Sequence, residues 1–148
     1  MSDVIRFYRI SDEYGCFSNF APYPIELGEK VWPTTEHYFQ AQKFDDIDRP
    51  EAIRSVKSPM IAARMGRSRK WRLRPEWESI KVAVMEEAVH AKFNQHADLR
   101  AILLGTGDAV IVEHSRNDSF WADGGDGSGQ NTLGQILMRV RAQLQGNP

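Results

Sequence analysis

Residues 75–95 read PEWESIKVAVMEEAVHAKFNQ. Trp77, Ile80, Val84, Ala88 and Ala91 recur three or four residues apart, which places them on one face of a helix. No glycine interrupts the run, and its proline stands at the start, where a first helical turn tolerates it. This is the longest helix the sequence predicts, and its neighbours read in the same way. Upstream, "PTTEHYFQAQKF" predicts a short helix capped by Thr34 or Thr35. "RPEAIRSVK" and "SPMIAARMG" each place proline at a first helical position, with Ser58 to cap the second and Gly66 to end it. Downstream, "DLRAILLGTG" reads as a helix with a glycine stop. A last helix runs from about Asn131 to Gln145, with Leu133, Ile136, Leu137, Val140 and Leu144 as its apolar stripe. Strands are few and short: "VIRFYRI", a hairpin in "YPIELGEKVWP" around Leu-Gly-Glu, and "AVIVE". Strand and helix do not alternate regularly enough for a doubly wound parallel sheet. The expected fold is α+β, a mostly helical single domain over residues 1–148.

The chain has 148 residues, 41% apolar and 26% charged, with a net charge of −1. Those values describe a soluble globular protein with no general pull toward nucleic acid or membrane surfaces. There is no apolar run of membrane-spanning length and no signal-peptide pattern at the N-terminus. Cys16 is the only cysteine, which excludes a disulfide framework and fits a reducing cytoplasm. Charge is uneven along the chain. Arg54, Lys57, Arg64, Arg67, Arg69, Lys70, Arg72 and Arg74 fall within 21 positions that hold no acid. A solvated basic face and an anion site both account for such a run.

The side chains able to do chemistry are limited. His37, His90, His96 and His114 include no pair at the spacing of a helical zinc site, and one cysteine builds no thiolate site. The glycine-rich loop lacks the EF-hand pattern at Gly125 and Gly127. No metal and no cofactor is expected. Cys16 has no histidine partner nearby in sequence and reads as a small buried apolar residue. Carboxylates remain. Glu36, Gln40 and Lys43 share one face of their helix. An acid in the first turn complements the helix dipole, and a surface ion pair with Lys43 explains Glu36 equally well. Asp123 and Asp126 sit among glycines in "FWADGGDGSGQN", where aspartates ordinarily make turns. Trp121 beside that turn reads as core or as a wall for a flat ring. Asn131 reads as a helix N-cap, at a place where free N–H groups also receive anions.

Five segments taken in order, "YGCFSNFAPYPI", "WPTTEHYFQAQKF", "SPMIAARMGR", "WESIKVAVMEEAVHAKFNQ" and "VEHSRNDSFWADGGDGSGQNTLGQILMRVR", resemble the YbiA-like, or NADAR, family. The likeness runs from about Ile5 to Arg141 and is strongest to the short, single-domain bacterial members. It implies an N-glycosidase acting on early riboflavin-pathway intermediates, the ribosylaminopyrimidine 5′-phosphates. The products would be the aminopyrimidine and ribose 5-phosphate, a form of metabolite damage control. Other members are linked to removing ADP-ribose from modified guanine in DNA, which makes ADP-ribosylated DNA the alternative partner. A non-catalytic module binding ADP-ribose or a nucleotide is the alternative of another class. The resemblance gives Glu36 and Asp123 as catalytic acids, in preference to Asp126. It places Lys43, Arg64 and Arg67 at the phosphate, Phe17, Asn19 and Trp121 at the base, and Asn131 at the loop or the phosphate. Ala122 stands where the family often has glycine. Were a positive φ required there, alanine would cost about 1 kcal/mol.

Overall fold

The computed structural model describes residues 3–146. In chain order the elements are β1 (Val4–Phe7), a 3-10 turn (Gly15–Phe17), β2 (Ile25–Leu27), β3 (Lys30–Trp32), α1 (Thr35–Ala41), α2 (Asp48–Ser55), α3 (Pro59–Arg67), α4 (Trp77–Gln95), α5 (Ala97–Gly105), β4 (Val110–Glu113) and α6 (Thr132–Gln145). Among the described residues, six helices and four short strands make the α+β fold expected, with α4 the longest helix. None of the described helices is long and apolar enough to cross a membrane. Contacts gather into two compact units, one of residues 22–92 and one of residues 3–21 with 93–146.

In the unit of residues 22–92, β2 and β3 form the expected antiparallel hairpin, pairing Ile25 with Trp32 and Leu27 with Lys30. Its two central residues, Gly28 and Glu29, have φ of 62° and 64°. Positive φ at both positions is what a two-residue type I′ turn demands. Glycine adopts it freely and glutamate does not. Glu29→Asn, which keeps a side chain tolerant of that region, is expected to stabilise the protein by about 0.5–1 kcal/mol. Urea unfolding would register this as a higher midpoint at unchanged slope.

Behind the hairpin, Trp32, Tyr38, Phe44, Ile53, Ala62 and Ala88 pack into one buried cluster. Rings meet edge to face at Trp32–Tyr38, 5.2 Å between centroids, and at Phe39–Trp77, 5.1 Å. Each such side chain contributes about 1.5–3 kcal/mol by leaving water. Thr34 caps α1, its hydroxyl accepting from the His37 N–H at 3.1 Å. Ser58 caps α3, accepting from Met60 and Ile61. Gly66 does not end α3, which continues to Arg67. Its missing Cβ has another purpose: a methyl group there would overlap the side-chain amide of Gln40. α1 packs against α2, α3 and β3, and every one of its residues is buried, the polar ones included.

In the other unit, β1 and β4 run parallel, in register from Val4–Val110 to Phe7–Glu113. β1 stops at Phe7, short of the predicted "VIRFYRI". The Asp12 carboxylate takes the N–H groups of Tyr8 and Arg9 at 2.9 and 2.8 Å, which turns the chain away from the sheet. α6 packs on β4. Its Arg141, buried, donates to the Ala109 carbonyl and the Thr106 hydroxyl at 2.8 and 2.9 Å, anchoring the turn that leads into β4. Phe7, Phe17 and Phe93 form an edge-to-face cluster at 5.6–5.8 Å.

Candidate active site

Each unit buries a group of polar side chains. The first lies on α1. Glu36 is 8% exposed, so the surface ion pair that would explain it is not its setting. Its Oε2 accepts a hydrogen bond from Gln40 Nε2 at 2.7 Å, one helical turn on. The Gln40 carbonyl oxygen, Oε1, is buried against Gly66 without a hydrogen-bond donor. The amide is thereby fixed with its N–H toward the carboxylate. Lys43, a further turn along, donates to the Gly66 carbonyl at 3.3 Å. Burial pushes its ammonium pKa below the ordinary lysine value; Glu36 opposes that shift and Arg67 adds to it. Arg64 and Arg67 lie in the last turn of α3, and both guanidinium groups are exposed. Arg67 Nε bonds only the Ala63 carbonyl of its own helix. Beside Glu36, His37 is held neutral. Its Nε2 donates to the Val56 carbonyl at 2.8 Å, so Nδ1 accepts from Thr34, and burial lowers its pKa.

The second group is the connection from β4 to α6, residues 114–131. Asp123 lies within it and is 5% exposed. Its Oδ1 accepts from the N–H groups of Ser115 and Gly125 at 3.1 and 2.8 Å. Its Oδ2 meets His114 Nδ1 at 2.8 Å. Burial alone would raise this carboxyl pKa, but His114 and the two amides outweigh it and hold it below the ordinary 3.8. A carboxylate depressed in the folded state stabilises fully above the unfolded value, and that stability is lost as pH falls through the folded one. The Asp123→Asn protein is therefore expected to lose less stability than the parent between pH 5 and pH 2. Urea midpoints across that range measure the difference. Equal acid sensitivity would refute it.

Asp126 differs in its burial and in its partners. It is exposed and bonds the N–H and hydroxyl of Ser128, a turn-forming role. Asn131 lies in the left-handed region, φ 52°, and its side chain does not cap α6. Instead its Oδ1 accepts from the Glu113 N–H at 3.0 Å and its Nδ2 donates to the Ile111 carbonyl at 2.9 Å. One asparagine thus pairs with β4 as a neighbouring strand would.

A model of the NADAR domain matches residues 6–145. The chain belongs to the NADAR family. Among its NADAR relatives, the N-glycosidase YbiA of Escherichia coli is 59% identical over 141 residues, covering 95% of this chain and 88% of that protein. An N-glycosidase of Nostoc punctiforme is 44% identical over 145 residues, with 96% and 93% covered. A riboflavin biosynthesis protein of Vibrio vulnificus is 43% identical over 145 residues; the match takes in 98% of this chain and 40% of that protein. The NMR structure of E. coli YbiA superposes with a TM-score of 0.90 at 58% identity, covering 98% of this chain and 87% of that one.

The NADAR residues anticipated from sequence therefore divide between the two units. Glu36, Lys43, Arg64 and Arg67 belong to one; Phe17, Asn19, Trp121, Asp123 and Asn131 belong to the other. Phe17 is a residue anticipated at a substrate base. It is 1% exposed, and Phe7, Tyr14 and Phe93 surround its ring. Trp121 is half-buried and edge-on to Phe120 at 4.9 Å; Asn19 is half-buried as well. Ala122 settles the question its position raised. It is buried and is not among the residues of positive φ, so alanine carries no strain there. Cys16 is half-buried rather than fully buried. Sequence reasoning did not single out His114, which stands nine residues ahead of Asp123 with no periodicity to link the two.

Proposed function

We propose that this protein is an N-glycosidase that hydrolyses the ribose C1′–N bond of ribosylaminopyrimidine 5′-phosphates. The products are an aminopyrimidine and ribose 5-phosphate. The observation that carries this reading is 59% identity to the N-glycosidase YbiA over nearly the whole chain. The Vibrio relative's name supports riboflavin intermediates as the substrate class. Cleaving the bond develops positive charge at C1′, which ionised carboxylates stabilise. Glu36 and Asp123 are the carboxylates assigned to this reaction. Both are buried, and each is oriented by hydrogen bonds. Lys43, Arg64 and Arg67 are assigned to the 5′-phosphate. Lys43 supports this, because burial and the nearby Arg67 charge both lower its ammonium pKa, and the charge of a bound dianion would offset that shift. Trp121 and Asn19 are assigned to the base, and Asn131 to ordering the loop.

Incubation with the two early riboflavin intermediates, chelator present, tests the reading by release of ribose 5-phosphate. An oligonucleotide carrying ADP-ribosylated guanine runs in parallel. The exposed cations Arg69, Lys70 and Arg72 favour this second reading, since they offer contacts to a phosphate backbone. Turnover of the oligonucleotide alone would replace the first reading with the second. Binding of ADP-ribose without any product would replace both with a binding module. Arg67→Ala is expected to raise KM for the phosphorylated substrate about tenfold or more with little change in kcat. A dephosphorylated substrate should show no such change. An equal loss with both substrates would remove Arg67 from the phosphate site.

A further inference from the structure

Asp123 has little left to offer a substrate directly. It is buried, one oxygen is taken by two backbone N–H groups, and the other is taken by His114. The His114 side chain is 49% exposed and touches that carboxylate through Nδ1. Asp123 is ionised at neutral pH, so it accepts, and Nδ1 carries the hydrogen. With Nδ1 holding that hydrogen, Nε2 is the ring nitrogen left to accept a proton. A carboxylate that fixes the tautomer and stabilises the imidazolium turns a histidine into an oriented base.

We infer that His114 is a catalytic residue of the glycosidase reaction and that Asp123 is its positioning residue. The inference rests on the glycosidase reading and changes how Asp123 serves it. Water oxygen bonds to C1′ as the C1′–N bond breaks, and the bonding pair leaves with nitrogen. His114 Nε2 takes one proton from that water and passes it to the departing nitrogen. The ring begins and ends neutral, Asp123 keeps its charge throughout, and one water is consumed. The loop itself supports the assignment. The amides of Ser115 and Gly125 and the imidazole of His114 converge on a single carboxylate, whereas an Asx turn such as that of Asp126 needs only local backbone.

The test is chemical rescue. Release of ribose 5-phosphate is followed for the parent protein, His114→Ala, His114→Ala with added imidazole, and Asp123→Asn, each checked by thermal unfolding. Removing a general base lowers kcat by about 10²–10⁴-fold. His114→Ala should show that loss in kcat with KM nearly unchanged, and imidazole should restore turnover saturably. Asp123→Asn should lose kcat and gain nothing from imidazole, because its own ring is still present. A folded His114→Ala protein with kcat within about twofold of the parent overturns the proposal and leaves the glycosidase reading standing. So does a loss that imidazole fails to relieve. A parent protein that releases no ribose 5-phosphate overturns the glycosidase reading and this proposal with it.

Discussion

Replacing Glu36 by alanine is expected to lower kcat about 10³-fold, among the largest single effects on turnover. The carboxylate is buried on α1 with one oxygen held by the Gln40 amide at 2.7 Å. A preorganised charge in a buried setting is worth roughly 4 kcal/mol at a developing cation, and that figure sets the expected loss. The alanine variant also strands the Gln40 N–H, at a cost of about 1–3 kcal/mol of stability. Glu36→Gln separates the two effects. Its amide oxygen can still accept from Gln40 while the charge is gone. Expected, then, are a Glu36→Gln protein that unfolds near the parent midpoint and turns over almost as slowly as Glu36→Ala. A Glu36→Gln protein with parental kcat would show that the charge is not used.

Gly134→Ala is expected to destabilise the fold by about 3 kcal/mol or more, though alanine is the better helix former. Propensity alone favours alanine inside a helix by about 1 kcal/mol. At this position, in the first turn of α6, the added methyl would overlap the Ile111 carbonyl of β4 and the side-chain amide of Asn131. Neither neighbour can yield. The carbonyl belongs to a strand, and the Asn131 amide is hydrogen-bonded to β4 at both of its atoms. Overpacking against fixed groups costs about 1–3 kcal/mol in ordinary cores, and the loss of the Asn131 bonds adds to it. The effect is read as a fall in the urea midpoint with unchanged slope. A Gly134→Ala protein as stable as the parent would mean that α6 slides on β4.

The parts of this molecule that were legible in the sequence are those fixed by near neighbours. Ser58 before Pro59 announced α3, and the Thr34–Thr35 pair announced α1. The Leu27–Lys30 turn and the apolar stripe of α6 were equally local. What stayed hidden depends on residues distant in sequence. Gly66 looked like a helix stop because nothing nearby shows that Gln40 lies against it across α1 and α3. Asn131 looked like a cap because its partners, Ile111 and Glu113, are 20 and 18 residues away. The same reason hid the burial of the polar face of α1, which follows from helices α2 and α3 closing around it. Lys92, one turn on from Ala88 in α4, is 1% exposed and lies over the Tyr23 ring, a burial that its residue type does not announce. The pairing of His114 with Asp123 was invisible for a related cause. Loop geometry is set by backbone bonds that periodicity does not encode.

The connection from β4 to α6 has no regular secondary structure, yet its backbone is tied almost throughout. Gly129 N–H reaches Asp123, Gln130 reaches Ser119, Asn131 reaches Ala122, Thr132 reaches Phe120, and Leu133 reaches Trp121. The Asp118 carboxylate holds the N–H groups of Phe120 and Trp121. A segment fixed in this way has given up its conformational freedom at the time the chain folds. A ligand arriving at it need order very little. Its association then carries a small entropic penalty from the protein, and the loop behaves as a mould rather than a closing lid.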